Sequence, residues 1–553
     1  MEKTSFLRGI KGVKDVFLRV PPVLLLPLGA VLSALCLLYP GIGFIGWLAM
    51  VPALYFLFSR IERSDLRYRR AYGMGFLYFY VFYLVVWHWF VDLYPMEFAG
   101  VTKGEAILLI AICWLGLSLL QALLSALALP VLLLLSRTRL LKKRPALLPL
   151  LFASVYTVAE WAQTLTWAGV PWARLALGQS ACGVLFGGAA LFGSYFITFS
   201  IVAVNGFAAY AMLHLDRVRF CAVCCAATFL FALGAGMIGY FTAPTGGENG
   251  VIVAAVQGNV GSSEKWTSTS NIRSYEVYEK YTAEAKAKGA RMVVFPETFM
   301  PYRINESSTL GMYVRGLAKK YEITIRCGAF YYDEKGEKLH NGLFTVYPDG
   351  SIDEVVYAKR RLVPFGEFVP MRPIVETLVP PLADMGMLSE DLDAGTDSAL
   401  VNTEIGMVGS LICFDSIYEG LTLDAVRDGA EVICLSTNDS WFLDSIGIYM
   451  HHRQAQLRAV ESGRYIIRSA DTGISSVISP NGRAEAELPP LVDGVSVATV
   501  YPTAQRTLYS YIGNAIVYLM VAAELALAAD GLICYLRRRG KGKDTQERME
   551  VSA

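Results

Sequence analysis

Three short apolar runs in this 553-residue chain each stop on a side chain able to take part in acyl transfer. Met407-Val408-Gly409-Ser410-Leu411-Ile412 delivers Cys413 and breaks at once into Phe414-Asp415-Ser416. Arg291-Met292-Val293-Val294-Phe295 leads through Pro296 into Glu297, and Glu354-Val355-Val356-Tyr357 leads into Lys359. Runs of this length, bounded by Gly and polar residues, read as strands covered on both faces whose C-terminal ends open into a crevice. The thiolate, not the thiol, attacks a carbonyl. A carboxylate to take the proton, and a fixed cation to lower the thiol pKa and steady the oxyanion, would complete the set. Singly, each has a plainer reading: a free cysteine packs as a small hydrophobe, and a strand-end Glu or Lys is usually a solvated charge. The ordered combination is what points to a thioester route.

Val294-Phe295-Pro296-Glu297-Thr298, Lys359-Arg360-Arg361-Leu362-Val363-Pro364-Phe365-Gly366-Glu367 and Leu411-Ile412-Cys413-Phe414-Asp415 resemble the Glu, Lys and Cys segments of the nitrilase superfamily. The Lys-to-Glu segment is similar in particular to the apolipoprotein N-acyltransferases, and order and spacing along the chain match as well. Gln257-Gly258-Asn259 with Trp266, Asn438-Asp439-Ser440-Trp441-Phe442, the His451/His452-to-Gln454-Ala455 segment, and Arg458-Ala459-Val460-Glu461 through Arg468 to Thr472-Gly473-Ile474-Ser475 extend the likeness over most of 251–482. It departs from the usual pattern at Phe414-Asp415, where Tyr-Glu is frequent, and at Asp471, where Asn is common.

The resemblance implies Glu297 as general base, Lys359 as oxyanion stabiliser and Cys413 as nucleophile. Glu367, Asp415 and Asn438 are expected in support, and Trp266, Phe414 and Trp441 against substrate; no cofactor or metal is expected. Glu367 orients the lysine or the substrate amine, unless Pro-Phe-Gly-Glu is only a turn whose Glu caps a backbone. The implied reaction is ping-pong: an acyl chain passes from a membrane phospholipid to Cys413, then to the α-amine of a lipoprotein's N-terminal diacylglyceryl-cysteine. The alternatives are a membrane-tethered nitrilase-type amidase with water as acceptor, or a non-catalytic transporter or receptor whose outer domain only binds lipid or an amide.

The elements that must position these residues fall into two kinds. Hydrophobic residues make up 54% of the chain, unevenly: up to about 243 the sequence is a series of long apolar runs, whereas 250 to about 505 is an ordinary mixed α/β sequence. The runs lie at about 20–39, 41–59, 72–90, 106–136, 145–165, 182–213 and 219–242, with one more at 511–536. A hydrocarbon core of roughly 30 Å takes about 20 helical residues. Eight spans are therefore expected, seven N-terminal and one C-terminal, with 106–136 long enough to tilt or overshoot. The division is 1–243 membrane domain, 244–508 catalytic domain, and 509–553 last span with a basic tail.

Lys and Arg cluster in alternate loops: Lys11, Lys14 and Arg19; Arg60 to Arg70; Arg137 to Arg144; Arg217 and Arg219; and Arg537 to Lys543. The positive-inside rule puts these and both termini in the cytoplasm, so an odd count of seven spans puts the α/β domain outside. In a bacterium this is the cytoplasmic (inner) membrane with the domain on its periplasmic side. A formal net charge of +1 gives no reason to expect a nucleic-acid partner. The first run is expected to be an uncleaved span rather than a signal peptide, because Leu35 before Cys36 is too large for cleavage.

Beyond the Gly/Pro linker 243–250, a strand at 251–257, helices near 271–288, 306–321 and 417–428, and strands near 323–331, 341–348 and 431–436 argue for a layered α/β domain. The nitrilase likeness makes it an αββα sandwich. The irregular stretch 364–395 is long enough to be a lid. Glu160 and Glu524, within spans, need a polar partner or a function. Cys221-Ala222-Val223-Cys224-Cys225 lacks companion ligands and reads as packing. Gly169-Val170-Pro171-Trp172 through Gly178-Gln179-Ser180 reads as an outer loop anchored at the interface and is similar to a loop of the acyltransferase family. His451 and His452 show no metal spacing with His340. With Cys327 and Cys434, the outer domain has three cysteines, which leaves at least one thiol free.

Overall fold

The computed structural model describes residues 19–96, 101–261, 264–265, 268–300, 302–333, 335–378 and 391–551, with no side chains described at 268–271 or 535–551. Lys11, Lys14, Trp266 and the 379–390 part of the expected lid lie outside the described residues.

Apolar runs become helices because a bilayer offers no partner to an unpaired backbone group. Among the described residues, seven helical segments are long and apolar enough to cross a membrane: Pro40–Glu62, Tyr68–Leu93, Lys103–Ser136, Pro145–Ala162, Ser194–Leu213, Leu215–Phe241 and Ala515–Cys534. The first apolar run forms a shorter helix, Pro22–Leu38. The expected span over 182–213 is divided. Gly183–Phe186 and Ala189–Phe192 are single turns, and the long helix begins at Ser194. Gly193 is the break: its φ is +78°, and a Cβ there would lie 2.3 Å from the Tyr509 ring. The Ser194–Leu213 helix is buried along most of its length, whereas Phe220, Val223, Leu230, Phe231 and Ile238 stand exposed on the neighbouring helix, an outward apolar face that suits lipid.

Both intramembrane acids have structural partners. Glu160 accepts hydrogen bonds from the Leu175 N–H (3.0 Å) and Thr198 hydroxyl (2.8 Å), and Glu524 from Ser154 (2.6 Å).

The α/β domain contains β1 (Val251–Gln257), β2 (Met292–Val294), β3 (Thr324–Tyr332), β4 (Leu339–Val346), β5 (Tyr357–Ala358), β6 (Val401–Thr403), β7 (Gly406–Ile412), β8 (Val432–Thr437), β9 (Ile466–Ala470), β10 (Ser476–Ile478), β11 (Ala484–Glu487) and β12 (Gly494–Val500). They form two six-stranded sheets, ordered β12-β1-β2-β3-β4-β5 and β11-β10-β9-β8-β7-β6. In each sheet the central strands are parallel: β1, β2 and β3 in one, β7, β8 and β9 in the other. Parallel strands are covered on both faces, and the period of two sorts their residues. Val253, Met292, Val294, Val408, Ile412, Val432 and Cys434 meet between the sheets. Val256 and Val293 face outward to helices α1 (Ser268–Ala287) and α2 (Thr309–Tyr321). Leu411, Ile433 and Leu435 face outward to α3 (Glu419–Asp428) and α4 (Ile446–Ser462), in a core continuous with the membrane helices. The result is a helix–sheet–sheet–helix sandwich with its second helical layer on the membrane domain.

One strand expectation fails. The run 354–357 is not a strand; pairing begins only at Tyr357–Ala358, opposite Leu343 and Gly342. The Asp353 carboxylate accepts from the Val355 N–H at 2.8 Å, and such a local side-chain bond competes with the ladder. Within the expected lid, Arg372–Leu378 is a short helix.

Candidate active site

β7 stops at Ile412, and Cys413 turns the chain with φ +48°, opening one turn of 3-10 helix, Cys413–Ile417. A left-handed non-glycine residue costs on the order of 1–3 kcal/mol and persists only where its surroundings hold it. Asp415 supplies part of that hold, accepting from the N–H groups of Ile412 (3.0 Å), Arg360 (3.2 Å) and Arg361 (2.7 Å) and from the Tyr357 hydroxyl (2.9 Å). One carboxylate thus joins the cysteine turn to the segment carrying Lys359. Burial raises the Asp415 carboxyl to about 6, with Lys359 and these donors acting against the rise. Asp415 acts through backbone and does not touch the thiol by any hydrogen bond found among the described residues.

Lys359, buried directly after β5, is shared between two carboxylates. Its Nζ donates to Glu297 Oε1 and to Glu367 Oε1, both at 2.8 Å. Asn341 Nδ2 donates to the same two oxygens, at 2.7 and 3.2 Å. The second Glu297 oxygen accepts from the Asn438 N–H at 2.9 Å, and the second Glu367 oxygen from the Val363 N–H at 2.8 Å. Burial alone would lower the ammonium, but Glu297 and Glu367 outweigh it and hold it well above the ordinary lysine range. Lys359 is a permanent cation here, so proton transfer in this cluster falls to the carboxylates. Burial and then the Glu297 charge push the Cys413 thiol up, while Lys359 pulls it down. Moving the thiol proton onto Glu297 would remove the negative charge that weighs most on the thiol as the thiolate forms, leaving Lys359 to stabilise it.

The structure thus brings Glu297, Lys359 and Glu367 into direct contact, with the charges of the first two acting on Cys413. Asn438 joins through its backbone, its side chain being turned to Ser440 (2.6 Å). Phe414 is half-buried, edge-on to Tyr418 with centroids 5.5 Å apart. Trp441 lies on the Ser440–Phe442 turn, partly exposed, and the adjacent Phe442 packs on Trp89, Trp172 and His451. His452 and His340 are apart from the cluster: His452 Nε2 lies 2.9 Å from Ser476 Oγ, and His340 Nδ1 2.7 Å from the Asp393 carbonyl. The last described part of the expected lid reaches the cluster, where the Leu392 N–H donates to the Glu367 backbone carbonyl at 2.8 Å.

Several residues escaped the sequence reading. Asn341 had no signal beyond a polar residue in an apolar strand. Lys265 Nζ donates to the Glu297 backbone carbonyl (3.3 Å) and to Asp471 (3.1 Å), and its place beside Trp266 was the available hint. At the far end of the cysteine turn, the Ile417 carbonyl accepts from Arg174 and from Arg458, both at 3.3 Å. Arg174 belongs to the loop read as an interfacial anchor; it is fully buried and pairs with Glu419, while Arg458 pairs with Glu461 at 2.6 Å.

A Glu–Lys–Cys set at the strand ends of an αββα sandwich, its acid and ammonium buried and its thiol half-buried, defines a carbon–nitrogen hydrolase domain, and the carbon–nitrogen hydrolase family model matches residues 252–508. The apolipoprotein N-acyltransferase N-terminal domain model matches residues 29–207. An apolipoprotein N-acyltransferase from Brucella melitensis is 30% identical over 403 residues, 70% of this chain and 74% of the relative. That from Gloeobacter violaceus is 28% identical over 499 residues, 89% of this chain and 90% of the relative. The chain belongs to the apolipoprotein N-acyltransferase family and is a multi-pass membrane acyltransferase. Among solved structures, a nitrilase-superfamily member from Saccharomyces cerevisiae aligns with TM-score 0.37 and 21% identity, over 48% of this chain and 96% of that one. A Nesterenkonia amidase aligns with TM-score 0.37 and 16% identity, over 49% and 97%.

Proposed function

We propose that this chain N-acylates apolipoproteins through a Cys413 thioester. Glu297 takes the Cys413 proton, the thiolate bonds to the ester carbonyl of a membrane phospholipid, and Lys359 stabilises the oxyanion. The ester C–O bond then breaks, and the lysophospholipid leaves with the proton held by Glu297. In the second half the α-amine of a diacylglyceryl-cysteine attacks the thioester, the C–S bond breaks, and the amine proton returns to the thiolate by way of Glu297. Glu367 keeps Lys359 in place and Asp415 holds the cysteine turn. Trp266, Phe414 and Trp441 contact the lipid substrates.

The observation that carries this reading is Lys359 clasped between Glu297 and Glu367 at 2.8 Å each while acting on Cys413. Placement follows the charges: basic loops alternate along the apolar runs, so the reading has seven N-terminal spans, the 244–508 domain on the periplasmic side of the inner membrane, and a final span in 509–553. Donor and acceptor are both confined to the bilayer, which explains why the site is carried on membrane helices. A match over both halves of the chain favours this over a tethered amidase or a lipid receptor.

The test is intact-mass analysis of the full-length protein in detergent, mixed with phospholipid and then with a diacylated lipopeptide. An acyl adduct on Cys413 that discharges to the lipopeptide amine is the expected result. Discharge to water alone would identify an amidase, and retained activity in Cys413→Ala would exclude covalent catalysis by this thiol.

A further inference from the structure

Below the cysteine turn lies a second, fully enclosed polar cluster that the mechanism above does not use. His451, on α4, places Nε2 3.0 Å from Ser416 Oγ and 3.2 Å from the Cys413 carbonyl oxygen. Ser416 in turn donates its hydroxyl proton to that carbonyl at 2.7 Å. On its other side, His451 Nδ1 donates to Asp439 Oδ1 at 2.8 Å. The same Asp439 oxygen accepts from the Thr437 hydroxyl at 2.9 Å, and its partner oxygen from Arg468 Nη2 at 2.7 Å. Thr437 closes the ring: its hydroxyl also lies beside the Cys413 thiol, and its one proton, given to Asp439 here, favours the thiolate when it turns to the sulfur. Ser416, Thr437, Asp439, His451 and Arg468 are all essentially without solvent contact.

Burying a carboxylate, a guanidinium and an imidazole together is costly unless geometry repays it. Asp439 finds its partners within the cluster, without any contact to substrate: Arg468 and His451 outweigh burial and hold it well below the ordinary carboxylate range. The ring grips Cys413 twice, at its carbonyl through Ser416 and His451 and at its sulfur through Thr437. This is the hold that a left-handed φ at Cys413 requires. The cluster also has an outer contact. The Trp172 ring, from the loop between membrane helices, stacks on His451 with centroids 5.9 Å apart.

We propose that His451 is a positioning residue for the nucleophile. It fixes the Cys413 backbone through Ser416, and by donating to the Asp439 oxygen that Thr437 also uses it leaves the Thr437 proton free to turn to the sulfur. The proposal rests on the reading of Cys413 as nucleophile.

The experiment uses full-length protein in detergent, phospholipid as donor and a diacylated lipopeptide as acceptor. It also measures the rate at which iodoacetamide alkylates Cys413, read at that peptide by mass spectrometry across pH. Glu297, Lys359 and Asp439 act on this thiol by charge, and none of the three is altered by the variants. His451→Ala is expected to lower kcat about 10–100-fold, the cost of a lost buried hydrogen bond, with the acceptor KM little changed and the alkylation profile displaced to higher pH. His451→Gln, which can still hydrogen-bond Ser416, is expected to recover part of the rate. Ser416→Ala carries the same test if His451→Ala does not fold. A kcat per folded molecule and an alkylation profile equal to wild type in Ser416→Ala and in whichever His451 variant folds would overturn the proposal. Cys413→Ala separates the two readings: activity surviving there sinks the nucleophile assignment, whereas an inactive Cys413→Ala beside fully active His451 and Ser416 variants sinks only this inference.

Discussion

Two buried ionic clusters sit at opposite ends of the same short turn, Cys413–Ile417, and they are built differently. At the cysteine end one cation, Lys359, serves two carboxylates, Glu297 and Glu367. At the Ile417 end two guanidiniums, Arg174 and Arg458, face two carboxylates, Glu419 and Glu461. Glu419 also accepts from Tyr195 (3.1 Å) and Asn514 (3.0 Å), so with Arg174 this one carboxylate ties the α/β domain to the membrane helices at three points. An arginine does not give up its proton. The Ile417-end cluster is therefore balanced in charge and inert, a joint that pins the end of the turn. The Cys413-end cluster carries an excess carboxylate and can accept one proton without unpairing its cation. Equal burial thus serves two purposes, decided by the ratio of acids to bases.

The sharpest way to break this contrast is to neutralise one acid in each cluster. Glu297→Gln keeps shape and most hydrogen bonds but removes the proton acceptor. Acyl-adduct formation on Cys413 is expected to fall by about a thousandfold, within the range for a lost general base, with the thermal unfolding midpoint nearly unchanged. Burst-phase mass spectrometry reads the first and a detergent melt the second. A large drop in the midpoint with activity per folded molecule retained would show that the two clusters are alike.

At the joint the effect should appear in stability. Burial raises the Glu419 carboxyl, but Arg174 and Arg458 outweigh it and hold it at about 2, below its ordinary 4.5. Because the folded value is the lower one, the carboxylate stabilises the fold above its ordinary pKa, and that contribution is lost as pH falls from about 4.5 through about 2. Its size is roughly 3 kcal/mol by linkage. Asp415, raised to about 6 from 3.8, has the opposite sign, and its ionisation costs stability as pH rises through that interval. Glu419→Gln is expected to be less stable than wild type at pH 7 and to lose less on acidification, read as unfolding midpoints between pH 7 and the lowest pH tolerated. Equal acid sensitivity in both proteins would remove Glu419 from the joint.

How much of this was legible depended on whether a residue's role is set by its own strand or by another. Glu297 and Cys413 sit at the C-terminal ends of buried strands, and composition with period marks such positions directly. Lys359 was found by type, although the strand assigned to its approach is only Tyr357–Ala358. Asn341 was invisible, because its place in the cluster comes from the antiparallel register of β4 and β5, where the Lys359 N–H donates to the Asn341 carbonyl at 2.8 Å. Register between strands is not written in either strand alone. Arg174 was hidden for a related reason: its loop has an interfacial composition, and its partners Glu419 and the Ile417 carbonyl lie far along the chain in the α/β domain. The division of the 182–213 run was hidden in the same way, since Gly193 yields to Tyr509, far along the chain.

Asn341 gives the smallest of the expected effects and the finest test of the contrast. Its amide donates to Glu297 and Glu367 together, so it holds the two acids at the separation that one ammonium can span. Asn341→Ala removes two donors but no charge, and a hydrogen bond to a charged group contributes about 1.5–3 kcal/mol. Lys359 remains to hold both acids, so kcat should fall about tenfold, less than in Glu297→Gln, with unfolding little affected. Asn341→Asp adds a third carboxylate around one cation and should be worse than alanine, because the added negative charge pushes the thiol further up. If the aspartate variant matched or exceeded alanine in rate, the ratio of acids to bases would not be what makes this end of the turn reactive.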